Sequence, residues 1–191
     1  RDLVRSRGLG DVYKRQDGRD VLITYQTEKG HCHTFRYNGT QRKVPNNSFV
    51  LDVVHTYNYL KAYGTGENII NAFENPYIKI ELKQKDNTSY ENISRNPTVY
   101  WEPRKGIILS NGKRQSPAVR LEHEFDHAID DWKSAKNHRE RRMTYDEQYG
   151  NKEERRVIEG SETRTARKLH QGIRKDHHGS TYPVKDPRFT K

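Results

Sequence analysis

The sequence predicts an α+β fold: a small twisted sheet, antiparallel or mixed, from its first half, packed on helices from its second. Three observations point there. Runs rich in β-branched and aromatic residues fill 19–38 and much of 77–109, a helix-spaced apolar pattern lies between them, and beyond Ser116 the chain turns helical and densely charged. Its 191 residues suit one domain, and 30% apolar content makes the expected core thin.

The elements follow in order. Residues 19–27 and 31–38 read as two strands of a hairpin, with Glu28-Lys29-Gly30 as the turn. Asn46, Asn47 and Ser48 offer helix N-caps, Val50, Val53, Val54, Tyr57 and Leu60 follow at helical spacing, and Gly64 is a stop. A short helix is expected over 68–73. Residues 77–82 alternate as a half-buried strand, and 83–97 are polar and turn-rich, hence a loop. Residues 98–101 and 106–109 suggest another hairpin, bent at Glu102-Pro103-Arg104. Tyr57, Tyr59, Tyr63 and Tyr77 are expected to serve packing. On a strand, His31 and His33 face one side and Cys32 the other, so these three do not converge on one metal.

Composition sets outer bounds. Mean hydropathy is −1.22, and the apolar stretches at 49–54 and 107–109 fall far short of the ~18 residues of a membrane span. A membrane-spanning helix is excluded. Cys32 is the one cysteine, so no internal disulfide forms. The opening RDLVRSRGLGDVYKRQ resembles translated sequencing-adaptor sequence, and the only methionine is Met143. Residues 1–16 are therefore expected to be foreign and 17–191 to form a single domain, divided into a 17–115 sheet-and-helix part and a 116–191 helical part. Those sixteen residues carry five bases and two acids, so without them the formal charge of +10 becomes +7.

The chemistry concentrates after Ser116-Pro117, a strong helix start with a hydroxyl N-cap and proline at the first helical position. Leu121, Phe125, Ala128, Ile129 and Trp132 share one face that must pack on the domain. His123 and His127 lie one turn apart on nearly the opposite side, enclosing Glu124 in His123-Glu124-Phe125-Asp126-His127, the HExxH arrangement. Two imidazoles so placed reach one tetrahedral Zn²⁺ at ~2.0–2.1 Å, and the glutamate reaches the water on that metal. Glu124 is thus the expected general base, and later the proton donor to a departing amine. Chance gives this pattern roughly 0.03 times per chain of such composition. The alternative is a solvated helix face with two unliganded histidines.

A third ligand is expected from 151–160, and spacing leaves Glu153, Glu154, Glu159 and Glu162 in competition. Asn151 with Glu154 also reads as a capping box. Asp130 or Asp131, one turn beyond His127, is a candidate acceptor for its free ring N–H.

HEFDHA followed by Glu153, Glu154, Arg156 and Gly160 resembles the M91-type zinc metallopeptidases, a group that includes type III secretion effectors and C-terminal toxin domains of Rhs-type polymorphic toxins. A similar doubled glutamate occurs in clostridial neurotoxin light chains, where the second ligates zinc. The resemblance covers about 98–182, including Arg174, Asp176, His177, Gly179 and Tyr182 near its end. It implies a zincin-like fold, zinc held by His123, His127 and Glu154, Glu153 in support, and Arg174, with His177 or Tyr182, on the oxyanion or substrate carbonyl. Asp126 departs from the pattern, since apolar residues are common there among relatives.

The expected function is that of a zinc endopeptidase, the toxin or effector domain of a secreted bacterial protein delivered into a target cell. Its partners would be a protein of a host or competitor cell and an immunity protein. Two other readings compete. One is a nucleic-acid-binding module, from the basic residues between Lys133 and Lys175 (Arg139, Arg141, Arg142, Arg155, Arg156), though acids interleave them and no recognition motif is present. The other is a zinc-stabilised interaction domain without catalysis, against which stands the base Glu124.

Overall fold

A computed structural model describes residues 21–191, so the expectation for residues 1–16 lies outside the described part. The fold is mixed α+β. Strand β1 (Val21–Gln26) turns back through Gly30 into β2 (Cys32–Tyr37), pairing antiparallel from Val21↔Tyr37 to Gln26↔Cys32. Helix α1 (Ser48–Ala62) starts where the Asn47 side chain accepts the N–H groups of Phe49 and Val50 at 3.0 and 3.2 Å. Helix α2 (Glu67–Glu74) follows. Next come β3 (Glu81–Gln84), β4 (Ser89–Ile93) and β5 (Asn96–Trp101). These strands form a five-stranded mixed sheet in the order β2-β1-β3-β5-β4, with β1–β3 and β3–β5 parallel.

Two expectations fail here. Residues 83–97 are not all loop: 89–93 form β4, an antiparallel partner of β5, because a two-residue Ser94-Arg95 turn with positive φ lets a polar segment pair at the sheet edge. The anticipated 98–101/106–109 hairpin does not form either. The Glu102–Arg104 bend sends β6 (Lys105–Leu109) into a second sheet, where it lies between β10 (Gly179–Pro183) and the short β7 (Arg114–Gln115). The strand expected over 77–82 begins only at Glu81, although Ile78 and Ile80 are buried as their alternation requires.

Helix α3 (Pro117–Lys133) packs on β5, β4 and α2. Leu121, Phe125, Ala128 and Ile129 are buried, and Phe125 meets Phe73 edge-on at 5.8 Å. Each large apolar side chain withdrawn here is worth roughly 1.5–3 kcal/mol. Trp132, expected on the same face, is 47% exposed. Tyr63 and Tyr77 likewise stand in solvent, whereas Tyr57 stacks on Phe73 at 5.0 Å. Ser116 precedes α3, but its hydroxyl makes no capping bond. The carbonyl of Pro187 instead accepts the Ala118 N–H at 2.9 Å, and Trp101 Nε1 donates to the Pro117 carbonyl at 3.0 Å.

Beyond α3 lie α4 (Ala135–Met143), the two-stranded ribbon β8 (Tyr145–Asp146) and β9 (Gly150–Asn151), and α5 (Lys152–Val157). A wide π-type turn over Ile158–Glu162, bent at Gly160, leads into α6 (Thr163–Lys168). The tail returns as β10, where a Cβ on Gly179 would lie 2.5 Å from the Ile107 side chain. None of the described helices is long and apolar enough to cross a membrane.

Candidate metal centre

Helix α5 and the turn that follows it converge on the middle of α3. His123 and His127 project one turn apart toward α5, and both are buried. Asn151 caps α5 by accepting the Glu154 N–H at 2.9 Å, so the anticipated capping box forms only in its Asn151 half. It leaves the Glu154 carboxylate free to turn toward the imidazoles.

His123 Nε2 and His127 Nε2 face one another at 3.0 Å, with Glu154 Oε2 3.1 Å from the first and Oε1 3.3 Å from the second. Ligands held at ~2.0–2.1 Å on tetrahedral axes stand about 3.3 Å apart, so this spacing fits a single ion. The other ring nitrogens show which atoms are donors. His123 Nδ1 meets Glu162 Oε2 at 2.6 Å, and His127 Nδ1 meets Glu153 Oε1 at 3.1 Å. Carboxylates there place the ring protons on Nδ1 and aim both Nε2 lone pairs at Glu154. In that tautomer the facing acceptors repel one another without a cation, and the buried Glu154 Oε2 receives no donor. The residues therefore fit a divalent metal ion, and among the described residues His123, His127 and Glu154 form one group with the spacing to hold it.

The carboxylates make this pocket attractive to positive charge, whether a proton or a metal ion. Desolvation opposes a second proton on His123, yet the adjoining Glu154 and Glu162 carboxylates push its pKa up to about 10 when no metal competes for Nε2. Burial would raise the Glu154 carboxyl, but His123, His127 and His177 hold it far below the usual carboxylate range. Glu153 is fully buried and stays ionised against the same desolvation, because His127, His138, Arg156 and Arg141 surround it. Arg141 Nε and Arg156 Nη2 each reach it at 2.7 Å.

The sequence-predicted residues separate clearly. The structure brings together His123, His127 and Glu154, with Glu153 behind His127. Glu162 supports His123 instead of competing as a ligand, and Glu159 pairs with Arg155 away from the imidazoles. Asp130 and Asp131 do not orient His127. Asp130 accepts from His138 and Arg141, and Asp131 accepts from Tyr90 and Asn92, because one turn of helix carries both past the ring. Asp126, the departure from the M91-type pattern, accepts from Ser161 and pairs with Arg156 at 2.8 Å. Arg174 is buried against Glu162, donating at 3.0 and 2.7 Å, so it holds the carboxylate that holds His123. His177 is half-exposed, 3.4 Å from Glu154. Tyr182 turns away: its hydroxyl donates to the Thr190 carbonyl and its ring lies under Arg114, so it is no donor at this site.

A cleft of about 390 Å³ opens over the imidazoles. Glu124 lines it with Arg120, Arg142, Arg174 and His177, and makes no hydrogen bond among the described residues. One wall carries Ser89 and Tyr90 of β4, the other Gly179 and Thr181 of β10, and both are edge strands.

Sequence reasoning missed Arg120, although its i,i+4 spacing from Glu124 was available as a signal. It also missed Glu122, which is fully buried and caps α2 by accepting from the Asn68 N–H and Nδ2 at 2.9 Å and the Ile69 N–H at 3.0 Å. Desolvation lifts this carboxyl to about 7 despite those donors. Only the packing of α3 on α2 reveals that role. Comparison with protein-family models, curated proteins and solved structures returns no match for this chain.

Proposed function

We propose that this chain is a zinc-dependent endopeptidase of zincin-like architecture. The observation that carries the reading is the convergence of two Nε2 lone pairs and the Glu154 carboxylate at 3.0–3.3 Å beneath an open cleft that also holds an uncommitted glutamate. Zinc bound there would supply Lewis acidity toward a carbonyl oxygen and an acidified water. Glu124 takes the proton from the attacking water and returns it to the departing amine. His177, on the cleft side of Glu154, offers a donor to the carbonyl oxygen. Arg174 acts through Glu162 as a positioning residue. An extended peptide suits the cleft, since edge strands on both walls present unpaired backbone groups.

An open cleft and a free base favour catalysis over a purely structural metal, which four protein ligands usually close. Arg141, Arg155 and Arg156 are committed to carboxylates, which leaves less of the basic stretch for a phosphate backbone. The assignment as a toxin or effector domain of a secreted bacterial protein, with a protein target in the recipient cell and an immunity protein, rests on the M91-type resemblance of HEFDHA and the doubled glutamate.

The test combines metal analysis with mapping of new protein N-termini in a lysate. One zinc per chain is expected in wild type and in Glu124→Gln, with new termini only in wild type. Glu124→Gln should lose at least about 100-fold in rate. Absence of bound metal, or cleavage that survives both Glu124→Gln and a chelator, overturns the proposal.

A further inference from the structure

Arg120 stands on α3 one turn before Glu124 and lines the same cleft. Among the described residues its guanidinium makes no hydrogen bond, and no carboxylate oxygen lies within 4.0 Å of it. The arginines around the imidazoles behave differently: Arg174 is bonded to Glu162, Arg141 to Glu153 and Asp130, and Arg156 to Glu153 and Asp126. Arg142 also lines the cleft but is exposed. Arg120 is partly buried, and burial pulls its pKa down while Glu124 pulls it up. A cation that has lost hydration without gaining an anion is costly. Glu124 does not resolve this, because it is out of contact and must stay free to accept a proton. Nearby Arg174 adds repulsion.

We infer that Arg120 is a specificity residue that takes a carboxylate of the substrate, about 6 Å along the helix axis from the general base. The inference rests on the peptidase reading of the cleft. A guanidinium fork matches a carboxylate with two parallel hydrogen bonds. A phosphate dianion fits less well, since Glu124 stands one turn away and repels the second charge. The carboxylate has two possible sources in a peptide: an Asp or Glu side chain beside the scissile bond, or a free C-terminus.

The test uses a pair of metal-anchored probes, succinic acid monohydroxamate and its terminal amide, titrated into the zinc-loaded protein. The acid should bind wild type at least about tenfold more tightly than the amide. In Arg120→Gln the ratio should fall to about one, with partial recovery in Arg120→Lys. Arg120→Glu should prefer the corresponding amine. A thermal melt of each variant establishes that it is folded, and a purely structural role for Arg120 would leave the acid-to-amide ratio unchanged. An equal ratio in wild type and Arg120→Gln overturns the inference while leaving the peptidase reading intact. Failure of both hydroxamates to bind wild type removes the metal-site reading and this inference with it.

Peptides separate the two sources. One set carries internal Asp or Glu with an amidated end, and the other is neutral with a free end. Internal cuts beside the acids assign a side chain, and stepwise trimming of the neutral set assigns the C-terminus. Cleavage by wild type that ignores Asp-to-Asn and Glu-to-Gln exchange and end amidation overturns the inference. The hydroxamate pair decides the matter whether or not short peptides are turned over.

Discussion

Glu162 and Glu153 each fix one imidazole by its Nδ1, and each is itself held by arginine: Glu162 by Arg174, Glu153 by Arg141 and Arg156. Ring orientation therefore depends on charges one contact away from the imidazoles, and the affinity of the proposed metal site would follow it. Glu162→Gln and Glu153→Gln should each weaken zinc binding about 10–100-fold, measured by competition with a chromophoric chelator. An unchanged affinity in both variants would mean the rings are held by packing alone. Removing the arginine is the harsher change. Arg174→Ala leaves Glu162 buried without its guanidinium countercharge and should cost about 3–5 kcal/mol in a denaturant melt. At this scale the sequence was legible where chemistry is local. HExxH declares itself because its residues lie within one turn of helix. Glu162, 39 residues beyond His123, does not, because only tertiary packing brings the two within 2.6 Å.

Among the elements, those with strong local signals formed where the pattern put them: the first hairpin, the capped α1 and α3 with its buried stripe. β4 was missed because Ser89, Glu91 and Asn92 carry no apolar alternation, and an edge strand needs little. The Glu102–Arg104 bend was read correctly as a break but wrongly as a turn, since nothing local says whether a chain returns to its own sheet. The bent helix from α5 to α6 shows a further limit. On an unbroken helix at 3.6 residues per turn, Glu153 and Glu162 would lie about 180° apart. The wide turn at Ile158–Glu162 brings both into contact with the α3 imidazoles, and such turns are frequent at functional sites. A similar dependence between elements is testable at α2, whose N-cap position is Gly66, without a capping side chain. Glu122 takes over that role from α3. Glu122→Ala should therefore cost about 2–4 kcal/mol, well beyond the ~1 kcal/mol of an ordinary exposed cap, by chemical denaturation. A loss under 1 kcal/mol would show that α2 does not rely on this carboxylate.

Across the whole molecule, the site ties together segments that the backbone alone leaves separate. Two donors come from α3 and the third from α5, with β8, β9 and α4 intervening, and the cleft walls belong to different sheets. A metal ion held by all three donors would select the arrangement in which α3 and α5 are docked, so its binding energy would add to folding stability. At free zinc 100 times its dissociation constant that gain is about 2.7 kcal/mol. For a chain of this size it corresponds to a rise in Tm of roughly 5–11 °C. The variants give this prediction its discrimination. Glu124→Gln removes the proposed base but none of the proposed ligands, so it should show the full zinc-dependent rise while losing the proposed cleavage. Glu154→Ala and His127→Ala each remove a ligand and should lose most of the rise, whatever their melting points without zinc. If Glu154→Ala responds to zinc as strongly as wild type does, the third ligand lies elsewhere and the geometry of the cleft must be reassigned.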